Sequence, residues 1–66
     1  MNAPLRQITF TREQAAAYLG VSVPTLARWA SEGAGPAYYV IGHKARYKPR
    51  DLDAFIENQR RAPHAV

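Results

Sequence analysis

The hydrophobic positions that follow Thr11 recur at helical spacing. Ala15, Tyr18 and Leu19 lie on one side of a helix, and Ala16 can extend this buried stripe. The alanine content of the segment also favours a helix strongly. We therefore predict a first helix that packs against the rest of the domain through this stripe.

Local signals define both ends of this helix. Thr11 is a good N-cap residue, and Gln14, three positions later, completes a capping box. Gly20 is placed to end the helix in a left-handed conformation. No helical period precedes Thr11, and Pro4 disfavours an earlier helix. We predict a flexible N-terminus over residues 1–8, with a short extended piece near residues 7–10.

A second helical pattern follows almost at once. Leu26, Trp29 and Ala30 form its apolar stripe. Ser22 is a candidate N-cap, and Pro24 is tolerated in a first turn because no intrahelical donor is needed there. The positions largely off the stripe are Val23, Thr25, Ala27 and Arg28. The stop signals are Gly33, Gly35 and Pro36.

The period then changes from helical to alternating. The β-branched and aromatic residues 38–41 favour a strand, and Gly42 with His43 can reverse the chain. The pattern predicts a β-hairpin, or wing. An extended second strand would place three cations on one face, namely Lys44, Arg46 and Lys48.

A last helix is predicted to begin around Pro49, since proline is favoured at a first helical position. Its core stripe would contain Leu52, Phe55 and Ile56. Acids in its early turns and basic residues near its end suit the helix dipole. We assign residues 9–61 to one domain and residues 62–66 to a flexible C-terminal tail.

These elements predict a mostly α fold with a small β-hairpin, in the order helix, helix, hairpin, helix. The first two helices and the short turn between them have the spacing of a helix-turn-helix, whose second helix enters the major groove of DNA. The alternative is an ordinary αα-hairpin. With the wing, the expected fold is a winged helix-turn-helix.

The charge of the chain favours a polyanionic partner. Nine lysines and arginines against five acids give a net charge of +4, and the sequence pI is near 10.0. A basic balance of this size in a small domain is typical of nucleic-acid binding. The alternative is a solvated surface that maintains solubility.

Catalytic and metal-binding patterns find little support in the sequence. The chain has no cysteine, and its two histidines lie far apart along the chain. No glycine-rich phosphate loop is present. We expect no enzymatic activity, no metal and no cofactor. The short apolar runs and the absence of a secretory signal favour a cytoplasmic protein.

The second helix supplies the first group of candidate DNA contacts. Arg28 has the planar fork that matches the O6 and N7 atoms of guanine, although it could instead contact a phosphate or solvent. Thr25 could contact a base or a thymine methyl group. Ser22 could donate to a phosphate or act only as a cap. Pro24 and Ala27 are small enough to allow close approach to bases.

The wing supplies the second group. A basic wing beside a reading helix would follow the DNA backbone or enter a minor groove. The alternative is a solvated edge strand that lysine protects against association. Arg12, in the first turn of the first helix, could reach a phosphate. The basic run of the wing contains His43, Lys44, Arg46 and Lys48, with Arg50 just beyond.

The segments TREQAAAYLGVSVPTLARWASEG and GPAYYVIGHKARYKPRDLDAFI together resemble the small MerR-like winged helix-turn-helix proteins of the excisionase type, the recombination directionality factors of mobile elements. The resemblance implies double-stranded DNA as ligand, side-by-side self-association on repeated sites, DNA bending and an integrase partner. His43 and Ala27 depart mildly from the family pattern. The contacts that the resemblance implies fall on Ser22, Pro24, Thr25, Arg28, His43, Lys44 and Arg46.

Two other functions fit the same residues. A small transcription regulator could use this domain to occupy a promoter, and nothing in the sequence excludes that role. A protein-interaction module, or an antitoxin-like partner, could instead use the basic face to bind an acidic protein. We expect neither a membrane association nor a small-molecule ligand.

Overall fold

A computed structural model describes residues 8–62. The helices and strands are α1 (Arg12–Leu19), α2 (Val23–Glu32), β1 (Tyr39–Ile41), β2 (Lys44–Arg46) and α3 (Pro49–Asn58). This is the predicted order, and the architecture is that of a winged helix-turn-helix. Most of the N-terminus and tail predicted to be flexible, residues 1–7 and 63–66, lies outside the described residues, as does His64.

The first helix has both predicted caps. The Thr11 N–H donates to Oε1 of Gln14 at 2.9 Å, and the Gln14 N–H donates to Oγ1 of Thr11 at 3.1 Å. This reciprocal pair satisfies two donors that have no partner within the helix. At the other end, Gly20 adopts φ 76° and closes the helix in the left-handed conformation.

The second helix begins at the predicted cap. Ser22 Oγ accepts from the Thr25 N–H at 3.2 Å, and Gly33 closes the far end with φ 74°. Leu26 is buried, and the half-buried Trp29 packs on Phe55 of α3 with ring centroids 5.5 Å apart. The prediction that Leu26 and Trp29 belong to the core is therefore confirmed.

The hairpin is antiparallel, with Tyr39 opposite Arg46 and Ile41 opposite Lys44. Gly42 and His43 form the predicted two-residue turn, with φ values of 56° and 72°. Two successive positive φ values are typical of a type I′ turn, whose twist matches that of the strands. Histidine tolerates this left-handed backbone better than β-branched residues do.

Tyr47, immediately after β2, lies at the centre of the core with 0% of its surface exposed. Its backbone exchanges two hydrogen bonds with Phe10, at 2.7 and 2.9 Å. An extended piece was predicted near residues 7–10. Among residues 8–62, the structure shows this part of the prediction as one isolated bridge. The wing is thus joined to the chain segment before α1. The buried core comprises Ala15, Ala16, Leu26, Tyr47 and Leu52.

Two predicted core residues lie at the surface. Tyr18 and Ile56 are each 46% exposed. The Tyr18 ring contacts Phe10 edge-on, while its hydroxyl donates to Asp53 Oδ1 at 2.5 Å. The hydrogen bond to Asp53, followed by desolvation and the carboxylate charge, raises the pKa of Tyr18 above 10.0. The prediction that both residues belong to the core was wrong. Helical spacing predicts which residues share one face of a helix, but the core of so small a domain covers only the middle of that face.

The sequence pattern also placed Val23 off the buried stripe of α2, and this was wrong. Val23 is half-buried and packs against the core cluster. It lies in the first turn of α2, on the side where that helix approaches β2. The residues that cover Val23 belong to the core cluster, most of which lies outside α2, so the helical pattern of α2 cannot show this burial.

Candidate nucleic-acid interface

The exposed face of α2 presents Pro24, Arg28 and Ser31 at helical spacing. The side chain of Arg28 is 59% exposed, and its Nε lies 3.7 Å from Oε2 of Glu32, whose side chain is 56% exposed. Because an exposed pair of this kind contributes little free energy, the guanidinium remains available to a ligand. Ser31, which was not among the predicted contacts, follows Arg28 by three positions on the same face, and its hydroxyl donates to the Arg28 carbonyl at 3.0 Å.

At the start of α2, two hydroxyl groups are linked. Ser22 Oγ donates to Thr25 Oγ1 at 2.9 Å while accepting from the Thr25 backbone N–H. The Ser22 proton is therefore engaged in the cap, as the alternative interpretation of this residue expected. The Thr25 hydroxyl keeps its own proton for donation. Of the two, Thr25 is the better placed to donate to DNA.

An open groove of about 380 Å³ separates the start of α1, the first half of α2 and β2. Three predicted DNA-binding residues from two distant parts of the chain meet there: Arg12, Lys44 and Arg46. Ala27, whose side chain is only a methyl group, lines the same groove from α2 and leaves it open. The remaining lining residues, which the sequence analysis did not assign to a site, are Thr11, Glu13, Val23 and Ala45.

The two arginines of this groove are half-buried and hydrogen-bonded. Arg12 Nε donates to Tyr47 Oη at 3.3 Å, and the guanidinium carbon lies 5.9 Å from the centroid of the Tyr38 ring. Arg46 Nε donates to Thr9 Oγ1 at 3.1 Å. Lys44 is exposed. The groove thus contains two cations held by hydrogen bonds and one exposed cation.

The other two wing residues, His43 and Lys48, do not line the groove. His43 is exposed in the turn. Lys48 is the N-cap of α3, and its Nζ lies 4.9 Å from the centroid of the Tyr39 ring. Lys48 therefore lies beyond the end of β2, beside an aromatic ring of β1, and its place on one cationic face with Lys44 and Arg46 stays a prediction.

Within residues 8–62, no group of three or more His, Cys, Asp or Glu side chains could hold a metal ion. Among the helices of the same residues, none is long and apolar enough to cross a membrane.

Comparisons with known proteins agree with this architecture. Searches of curated proteins and of solved structures give no match. A family model described as a helix-turn-helix domain matches residues 9–60, which include all three helices and both strands. The chain therefore belongs to the helix-turn-helix domain family, whose domain binds DNA.

Proposed function

We propose that the chain is a sequence-specific DNA-binding protein that places α2 in a major groove and its hairpin along the neighbouring backbone or minor groove. The observation that carries this proposal is the groove in which α1, α2 and β2 meet, because it joins the reading helix to the cations of the wing. Arg28 reads a base edge, and Thr25 donates beside it. The cations of the wing attract the phosphates.

We further propose that the biological role is that of an excisionase, as the sequence resemblance implies. A single module of this size buries roughly 600–1,000 Å² of protein surface on DNA, which limits its affinity. Several copies would bind repeated sites side by side, bend the DNA and bring an integrase into an excisive complex. Bending by about 40–90° costs of the order of 1–6 kcal/mol, which shared binding can offset.

The exposed side of the hairpin supports association between neighbouring copies. Val40 is 68% exposed and Ile41 is 58% exposed, and β1 pairs only with β2 among residues 8–62. An exposed apolar edge strand is a template for contact with another chain. We propose that β1 meets the adjacent protomer on DNA.

Val40→Ser tests this contact. Gel-shift titrations on DNA with one and with several sites should show unchanged single-site affinity and reduced cooperativity. Ile8→Ser is the matched control, since Ile8 is 67% exposed but lies outside the hairpin. Equal cooperativity in the wild type and in Val40→Ser would contradict the proposed contact.

The role is tested by recovering fragments of the source DNA with purified protein at physiological salt and sequencing them. Enrichment at direct repeats beside an integrase gene and its attachment site supports the excisionase role. Enrichment at promoters elsewhere would assign the domain to transcription regulation instead. Circular-permutation gel shifts on the enriched fragments then measure bending, and unbent DNA would count against the architectural mechanism.

A further inference from the structure

The two arginines of the groove are held in the same way. Arg12 and Arg46 each donate through Nε, to Tyr47 Oη and to Thr9 Oγ1 respectively. Tyr47 is fully buried, so its hydroxyl is a fixed acceptor. Within residues 8–62, no hydrogen bond engages the terminal nitrogens of either arginine.

This arrangement leaves the outer part of each guanidinium for a ligand. The planar group has five N–H donors in a rigid fork, and the Nε bond uses only one of them. The two terminal nitrogens together match two oxygens of one phosphate. A side chain that is already held loses less conformational entropy when the ligand binds.

The charges lining the groove favour an anion. Arg12, Lys44 and Arg46 supply three positive charges, and among the lining residues Glu13 supplies the single negative one. Glu13 is exposed. Because a phosphodiester carries one negative charge, the groove retains a positive balance after one phosphate enters it.

We infer that this groove seats a single DNA-backbone phosphate, bound by the terminal nitrogens of Arg12 and Arg46, with Lys44 at its edge. Tyr47 and Thr9 are positioning residues that orient the two arginines and do not touch the DNA. The inference rests on the proposed function and deepens it, because the seated phosphate fixes how far α2 enters the major groove.

Tyr47→Phe tests the positioning role, since it keeps a buried aromatic ring and removes only the acceptor. DNA affinity should fall roughly three- to tenfold, as expected for the loss of one hydrogen bond. In the Arg12→Gln background the same change should have no further effect, because the side chain that it orients is gone. A purely structural role for the hydroxyl would lower affinity equally in both backgrounds.

Two further variants keep the test decisive. Tyr38→Phe is the matched control, because its ring lies 5.5 Å from that of Tyr47 while no hydrogen bond engages its hydroxyl among residues 8–62. It should leave affinity unchanged. Should circular dichroism show that Tyr47→Phe does not fold, Thr9→Val applies the same test to Arg46, with Arg46→Gln as its partner background.

A scan of single methylphosphonates locates the phosphate on the duplex. Neutralising one backbone position should weaken the wild type but not Arg12→Gln. Inorganic phosphate alone, titrated into the free protein at matched ionic strength, should not bind tightly. Tight binding that requires Arg12 would assign the groove to a free phosphate and overturn the assignment to the DNA backbone. A wild type that binds no DNA would refute the proposed function, whereas binding that Tyr47→Phe leaves unchanged would refute only this inference.

Discussion

The cationic side chain of α2 and those of the groove are held differently. Arg28 on α2 is exposed and has only a loose pair with Glu32. Arg12 and Arg46 are half-buried, and each is fixed through Nε by a hydroxyl group. An exposed and loosely paired arginine can adapt its side chain to a base edge. An arginine held through Nε instead fixes the distance between the protein and a phosphate. The difference suggests that α2 reads the sequence while the groove positions the protein on the backbone.

The two halves of the domain also differ in what stabilises them. Helices α1 and α2 have their own caps, and they contribute Ala15, Ala16 and Leu26 to the core. The wing consists of two three-residue strands, and β1 is exposed along its whole length. Its attachment depends on Tyr47. The variants below are expected to separate stability, reading and positioning.

Tyr47→Ala should have the largest effect, because it removes the buried ring at the centre of the core, although the backbone bonds to Phe10 can remain. Truncating a large buried aromatic side chain costs about 3–5 kcal/mol. A domain this small has little stability to lose, so we expect it to be largely unfolded at 37 °C. Urea denaturation followed by circular dichroism measures the loss. Val40→Ala, at an exposed position of the same hairpin, should change the midpoint little.

Arg28→Ala should affect reading and leave folding intact. The loss of a bidentate base contact should cost about 1–3 kcal/mol of binding free energy and relax the preference at one base pair. Stability should change by less than about 0.5 kcal/mol, since the position is exposed. Fluorescence anisotropy with the preferred duplex and its single-base variants measures both effects. Unchanged discrimination among the duplexes would assign reading to another residue.

Removing the charge of the neighbouring Glu32 should change DNA affinity in the opposite direction. Glu32→Gln removes a carboxylate from beside Arg28, so DNA affinity should rise modestly and most clearly at low salt. The same anisotropy titrations at two salt concentrations provide the measurement. A fall in affinity would mean that the pair holds Arg28 in its binding conformation.

Lys44→Ala should have a smaller and less specific effect. An exposed lysine that contacts a phosphate contributes to binding mainly through counterion release. Its loss should weaken binding uniformly across sequences and reduce the salt slope by about one. Titrations at several salt concentrations measure the slope. A sequence-dependent loss would show instead that Lys44 takes part in reading.

Tyr18→Phe should have the smallest effect on stability, and this effect should disappear at high pH. The bond to Asp53 raises the pKa of Tyr18 above 10.0, so the folded state holds this proton more tightly than the unfolded chain. Its contribution to stability is present below pH 10 and is lost as the pH rises through the raised pKa. The wild type should therefore lose stability more steeply than Tyr18→Phe in this range. Parallel slopes in alkaline urea titrations would contradict this account.

The helices could be predicted because their signals are local. Thr11 and Gln14 lie three positions apart, and Gly20 follows the last helical residue directly. The turn at Gly42 could also be predicted, because its signals lie in adjacent residues of the sequence. The burial of residues at the edge of the core could not be predicted in this way. Tyr18 and Ile56 have the helical spacing of core residues, but the neighbouring elements leave each of them 46% exposed.

The candidate site was predicted only in part. Alternation along the wing placed Lys44 and Arg46 on one face, and the register of the strands agrees. The sequence could not show that Arg12 joins them. Its contact with Tyr47 spans 35 positions, and that of Arg46 with Thr9 spans 37. Tyr47 lies within a basic run and was not predicted to be a core residue, although it is at the centre of the core.

The most direct test of the account uses affinity cleavage, which the absence of cysteine from the chain makes simple. An iron chelate is attached to a single cysteine at Ser31 on α2, at Ile41 on the wing, or at the exposed Ala54 on α3 as the control. The account predicts cleavage from Ser31 within a major groove, and from Ile41 about half a helical turn, roughly 5 bp, away. Cleavage from Ala54 should be weak. Equal cleavage from all three positions would contradict the proposed docking of α2 and the wing.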